Sequence, residues 1–123
     1  IDSFFLFLRN LYARAKSILR KSGVENPSVD AFTISDSVER ELALVLLQFP
    51  TQVQTAAMTH RPNLVCEYLY NVASKFNRFY YSNPVLTASD PKVKEARLAI
   101  VESMLRVMEK GLNLLGLTPL DRM

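Results

Sequence analysis

The chain has 123 residues, with 15 Lys+Arg against 12 Asp+Glu (net +3), one His, one Cys, no Trp and three Gly. That length fits one domain over residues 1–123, and 49% hydrophobic with 22% charged residues is ordinary globular usage that argues against disorder. Three scattered glycines (Gly23, Gly111, Gly116), a single His60 and a single Cys66 exclude a Gly-rich phosphate loop, a HExxH zinc site, a cysteine metal cluster and an internal disulfide.

Further classes fall away on pattern. No G-x-S-x-G nucleophile elbow occurs. The longest apolar runs, Phe4–Leu8 and Leu42–Leu47, are far below the roughly 20 residues that span a bilayer. The first run follows Asp2 and is closed by Arg9, so it lacks the basic start of a signal peptide. The lone cysteine fits a reducing compartment. Nothing here equips the chain as a self-contained enzyme.

Five helices are predicted. Helix one covers about Ser3 to Lys21, with Phe4, Leu8, Leu11, Ala15 and Ile18 at three- and four-residue steps and Phe5, Tyr12 and Leu19 beside them. Gly23 stops it, and residues 23–35 (GVENPSVDAFTIS) lack periodicity and read as a loop. Asp36 then caps helix two, with Glu39 as its capping-box partner. Val38, Leu42, Val45, Leu46 and Phe49 form its apolar face, and Pro50 is expected to end it. Thr51 with Gln54 repeats the capping-box spacing and starts a short helix three to about His60.

Pro62 suits the first turn of helix four, whose stripe is Leu64, Val65, Tyr68, Leu69, Val72, Ala73, Phe76, Phe79 and Tyr80. Ser82, Asn83 and Pro84 break it. Asp90 caps helix five with Pro91 at its first position, and Val93, Leu98, Val101, Leu105, Leu112 and Leu115 follow along one stripe. Gly116 is its stop, and Pro119 excludes further helix. Cys66, Met58, Met104 and Met108 read as core side chains, His60 as a surface or helix-end residue, and Asp36 and Glu39 as capping groups rather than catalytic carboxylates. The fold class is all-α, a helical bundle.

The charge is unevenly placed. Residues 1–23 carry Arg9, Arg14, Lys16, Arg20 and Lys21 against Asp2, a net +4, whereas residues 24–50 carry Arg40 against five acids, a net −4. Residues 51–81 are +2 and the remainder +1. Helix one is therefore a basic element, either a solvated face or a surface for phosphates. Phe7, Asn10, Arg14 and Lys21 recur at i, i+3, i+7 and i+14, along one line of that helix. A ring, an amide and two cations make poor core material, but they are what unstacked RNA needs: a platform for a base, donors for its edge and charge for its phosphates. At the end of helix four, Phe79, Tyr80 and Tyr81 follow Arg78; three consecutive aromatics cannot all face one core, so at least one is expected in solvent.

Four stretches now carry a resemblance. Residues 12–20 (YARAKSILR), 62–80 (PNLVCEYLYNVASKFNRFY), 96–98 (ARL) and 111–123 (GLNLLGLTPLDRM) resemble, in order and over nearly the whole chain, the C-terminal anticodon-binding domain, DALR type, of arginyl-tRNA synthetase. The resemblance implies the all-α bundle of that class I aminoacyl-tRNA synthetase domain. It implies a chain that grips the anticodon loop of arginine tRNA while a separate catalytic domain, absent here, joins arginine to the tRNA with ATP and Mg. By position, Arg14 falls on the family's motif Arg, Phe7 one turn before the motif's first ring, Tyr80 on the last Tyr of F-N-x-F-Y, and Met123 on the family's final residue. These four, with Asn10, form the expected anticodon site. Arg9, Lys16, Lys21 and Arg78 are the expected phosphate contacts, and no metal is expected.

One departure stands out: the motif opens on Tyr where this sequence has Asn10, which leaves stacking to Phe7 or Tyr12. The parent protein is expected to be a cytoplasmic, monomeric arginine–tRNA ligase, with this chain its non-catalytic C-terminal fragment and no cofactor of its own. Separation from that parent could also leave an apolar face uncovered. A second reading is a stand-alone helical module that recruits tRNA to another enzyme, or that binds a protein partner through the acidic loop and helix two.

Overall fold

The computed structural model describes residues 2–23, 36–83, 85, 87 and 90–116, with side chains from Leu6 onward. Expectations for the side chains of Phe4 and Phe5, for the 24–35 loop and for the tail with Pro119 and Met123 lie outside the described residues.

Among the described residues there are five helices, in order α1 (Asp2–Ser22), α2 (Ser37–Leu47), α3 (Phe49–Met58), α4 (Asn63–Ser82) and α5 (Pro91–Leu114), and no strand. Local chemistry sets most of the boundaries. Gly23 and Gly116 adopt φ of +74° and +80°, the left-handed geometry that closes a helix and that glycine takes without Cβ strain. At α2 the capping box is complete: the Glu39 N–H donates to Asp36 Oδ1 at 2.9 Å and the Asp36 N–H to Glu39 Oε2 at 3.1 Å. Asp90 Oδ1 accepts from the Lys92 N–H at 2.9 Å, and Pro91 fills the first position of α5.

The α2–α3 junction corrects the sequence reading. Pro50 does not end α2; that helix stops at Leu47, and Gln48 alone separates it from α3, which already contains Pro50 in its first turn. The missing N–H of proline is harmless there, because the first N–H groups of a helix have no intrahelical acceptor. Thr51 is consequently inside the helix, not its cap, and its carbonyl accepts from the Thr55 hydroxyl at 2.9 Å. His60, just past α3, is exposed with φ +55°, while the Arg61 N–H closes on the Ala56 carbonyl at 2.9 Å.

Helix α4 is the hub: it touches each of the other four helices. Its predicted stripe is buried from Val65 to Phe79, and Phe76 and Phe79 join Leu8 and Leu11 of α1, Leu42 of α2 and Leu98, Ile100, Met104 and Met108 of α5 in one cluster. Burying a side chain of this size contributes roughly 1.5–3 kcal/mol, so the shared cluster is the main stabilising term. Three residues expected on apolar faces or in the core are not in it: Met58 is 74% exposed at the end of α3, and Cys66 and Val93 are only partly buried.

Polar groups fix the packing. Glu39 is fully buried and receives Arg97 Nε at 3.0 Å, tying α2 to α5. Asp36 Oδ2 accepts from Asn83 Nδ2, Glu41 pairs with Arg78 at 3.4 Å, and the Tyr68 hydroxyl donates to the Val45 carbonyl. These three contacts run in opposite chain order, so α2 and α4 are antiparallel and the start of α2 is pinned to the end of α4. Burial pushes the Tyr68 phenol up to about 12. No described helix is long and apolar enough to cross a membrane.

Candidate nucleic-acid interface

Helices α1 and α4 lie side by side in the same direction. Phe7 meets Tyr70 with ring centroids 5.8 Å apart, and Arg14 Nη1 reaches Asn77 Oδ1 at 3.5 Å, so two turns of one helix match two turns of the other. The predicted line of Phe7, Asn10, Arg14 and Lys21 therefore runs along a seam with α4. Phe7 is half-buried against the core, and Asn10 is exposed between it and Arg14.

Arg14 is the centre of the arrangement. Its guanidinium carbon lies 5.4 Å from the Tyr80 ring centroid and 5.8 Å from that of Tyr81. Such cation–π contacts contribute about 0.5–1 kcal/mol each at exposed sites and hold the group in place. Tyr80 is half-buried against Phe76 at 6.4 Å, so the core fixes its ring. Tyr81 is 69% exposed and stands edge-on to Tyr80, 5.2 Å away at 81°. The triplet thus resolves as the sequence requires: Phe79 in the core, Tyr80 at its edge, Tyr81 in solvent.

Beside these rings opens a cleft of about 350 Å³, within the range of small-ligand sites. Arg14, Ser17, Ile18 and Lys21 of α1, Tyr80 and Tyr81 of α4, and Val85 and Thr87 of the following connection line it. Its described lining residues include two cations and no acid. Among the described residues neither Arg14 nor Lys21 has a carboxylate within 4 Å, and Glu39, Glu41, Glu102 and Glu109 pair with other cations. Also among the described residues, no three His, Cys, Asp or Glu side chains gather as a metal site would need.

The structure brings Arg14, Tyr80 and Lys21 together, places Phe7 and Asn10 further along the same seam, and leaves Met123 outside the described residues. Lys16 points elsewhere: its Nζ lies 4.0 Å from Glu109 of α5 and 5.8 Å from the Tyr12 ring. Tyr12, a candidate stacking ring, is buried with its hydroxyl donating to Glu109, so its face is closed to a base. Arg78 is exposed but turned to Glu41, and Arg9 is exposed on α1. Sequence reasoning missed Asn77, Ser17, Val85 and Thr87. Ser17 stands one turn from Arg14 and was within reach of helical spacing; Val85 and Thr87 sit in an aperiodic connection that gives no such signal.

Comparison with known proteins gives the family. Residues 8–123 match the model of the DALR anticodon binding domain family. The arginine–tRNA ligase of Methanopyrus kandleri is 43% identical over 95% of this chain, and that of Synechocystis 40% over 91%. The chain spans about one fifth of the length of these curated relatives. Among solved structures, Thermus thermophilus arginyl-tRNA synthetase superposes with a TM-score of 0.82 at 34% identity, covering 95% of this chain and 21% of that one. The Plasmodium falciparum arginyl-tRNA synthetase shares the fold at 23% identity, with a TM-score of 0.83 over 96% of this chain and 21% of that one. With the α1–α4 seam, its cationic cleft and a family match over nearly its full length, the chain belongs to the DALR anticodon binding domain family.

Proposed function

We propose that the chain binds the anticodon loop of arginine tRNA as one domain of an arginine–tRNA ligase. The observation that carries this reading is Arg14, held over Tyr80 by the α1–α4 seam at the mouth of a cleft whose described lining residues include no acid. A fixed guanidinium offers in-plane donors to a base edge, and the neighbouring ring offers a stacking face. An unstacked anticodon base would enter there. Phe7 and Asn10 extend the surface along α1, Lys21 and Arg9 supply charge for phosphates, Arg78 is shared with Glu41, and Met123 belongs to the proposed site on the family resemblance alone. Lys16, paired with Glu109, contributes only to the general field. The remaining four-fifths of such an enzyme would use ATP and Mg to join arginine to the tRNA, as a cytoplasmic monomer in which this domain supplies recognition and no chemistry.

The test is a titration of the chain with anticodon stem-loops of arginine tRNA carrying cytosine or another base at the central position. The cytosine loop is expected to bind more tightly, and Arg14→Ala is expected to remove roughly 1–3 kcal/mol of that affinity, the scale of one good bidentate contact. Equal affinities for all four bases would refute base reading at Arg14.

A further inference from the structure

We propose that Asn83 is a positioning residue for the RNA site. Through Asp36 it fixes the last turn of α4, and with that turn the rings and the cleft wall that face the RNA. This rests on the RNA-binding reading above and adds to it a side chain too deeply buried to touch RNA itself.

Burial singles Asn83 out. Among the described residues, tyrosines aside, the buried polar or charged side chains are Glu39 and Asn83. An amide in such a place costs free energy unless it is hydrogen-bonded, and only one end of this one is. Asn83 Nδ2 donates to Asp36 Oδ2, whereas Oδ1 accepts from no partner among the described residues. Packing alone would favour an apolar side chain here, so the contact to Asp36 is what accounts for the amide. Asp36 is a firm anchor. Its other oxygen accepts from the Glu39 N–H at 2.9 Å, its own N–H donates to Glu39 Oε2 at 3.1 Å, and Arg97 Nε holds Glu39 Oε1 at 3.0 Å. The end of α4 is thereby tied to α2 and, through Glu39, to α5. Asn83 also stands where that anchor matters to the cleft. Its N–H donates to the Phe79 carbonyl at 2.9 Å as the cap of α4, and its backbone is extended, with φ −124° and ψ 94°. Tyr80 and Tyr81 lie in the turn before it, Val85 and Thr87 in the connection after it, and all four line the cleft. A last helical turn frays when nothing holds it. Fraying here would shift the rings and the wall together and take Tyr80 away from Arg14, whose guanidinium carbon lies 5.4 Å from the ring centroid.

The experiment compares the chain with Asn83→Ala, Asn83→Asp, the exchange Asp36→Asn with Asn83→Asp, and Arg14→Ala. Each is titrated with arginine-tRNA anticodon stem-loops carrying cytosine or another base at the central position, and the ratio of the two affinities is read. Partial unfolding lowers both affinities by the same folded fraction and cancels in the ratio, so a residue that only stabilises the fold leaves the ratio unchanged. Asn83→Ala is expected to lower it by roughly 2- to 30-fold, the range for residues that act on a site without touching its ligand. Asn83→Asp sets two carboxylates against each other and should lower it at least as far. The exchange puts the amide at 36 and the carboxylate at 83, so the same hydrogen bond forms at the same net charge, and the parent ratio is expected to return. If both single Asn83 variants keep the parent ratio while Arg14→Ala loses it, Asn83 does not position the site and the anticodon reading stands. An exchange variant as poor as Asn83→Asp overturns the role of the Asp36 contact. If the parent shows no preference, or Arg14→Ala keeps it, the anticodon reading fails and this inference with it.

Discussion

Gly111 is the place where the packing of α5 on α4 makes a sharp numerical demand. It lies inside α5 on the buried face, where glycine is about 1 kcal/mol worse than alanine in helix propensity. With free space, Gly111→Ala would stabilise the chain. There is none: a Cβ at this position would stand 2.6 Å from Leu69 Cδ2, 2.9 Å from Cδ1 and 3.1 Å from Cγ. Leu69 is fully buried among the α4 stripe, so it cannot swing aside without displacing its neighbours. Overpacking of this kind costs about 1–3 kcal/mol, and the net expectation is a loss of about 1 kcal/mol. Leu69→Ala alone should cost about 2–5 kcal/mol through lost contacts and a cavity. In that background the obstruction is gone, so Gly111→Ala should now stabilise by about 1 kcal/mol, a coupling of about 2 kcal/mol between the two sites. Urea unfolding of the four proteins reads this directly from the midpoints. Stabilisation by Gly111→Ala in both backgrounds would refute the close α4–α5 approach.

Three further outcomes are expected. Glu39→Ala removes both the α2 cap and the buried partner of Arg97 and should cost about 3–5 kcal/mol by chemical denaturation; a change under about 0.5 kcal/mol would rule out the buried pair. The Tyr68 phenol keeps its proton to about pH 12 in the folded chain against about 10 when unfolded, so its contribution is complete below pH 10 and lost as pH rises toward 12. Thermal melts at pH 9 and 11.5 should therefore show a larger fall for the parent chain than for Tyr68→Phe, and equal falls would contradict the burial of the phenol. Met58→Ala should leave stability within about 0.5 kcal/mol whereas Met104→Ala loses about 2–5 kcal/mol, because one side chain is in solvent and the other in the core.

Much of the fold was legible because helices declare themselves locally. The stripe from Leu64 to Tyr80, the Asp36–Glu39 box and the glycine stops are patterns within one element, and each is where spacing puts it. Pro50 was misread because a proline is equally at home just after a helix and in the first turn of the next one; sequence alone does not separate a terminator from a starter. Met58 was misread because α3 is short and buries only Ala56 among its residues, so an apolar side chain at its end has nothing to pack on. For the candidate site, helical spacing put Arg14 and Lys21 on one line, and three adjacent aromatics forced one ring out. It could not put α4 beside that line. Asn77 against Arg14, the direction of Lys16 toward α5, and the placing of Val85 and Thr87 at the cleft are products of how helices dock, and docking leaves no periodic trace in either partner.

The same docking decides what the net charge of +3 means. The acids at the start of α2 are engaged by the chain itself: Asp36 on the cap and Asn83, Glu39 on Arg97, Glu41 on Arg78 at the surface, while Glu109 of α5 answers Tyr12 and Lys16. Each of these neutralises a cation or a donor away from the cleft, and at physiological salt charges more than about 8 Å away are largely screened. What an approaching strand meets at the ends of α1 and α4 is therefore set by Arg14 and Lys21 and not by the average of the chain. This makes a separable claim about salt. Replacing a cation already facing a carboxylate, such as Lys16 beside Glu109, should leave the salt slope of RNA binding nearly unchanged. Replacing Lys21 should lower it, although both changes subtract one charge from the total. Equal slopes for the two variants would mean that the field of the whole domain, not the cleft, draws the RNA in.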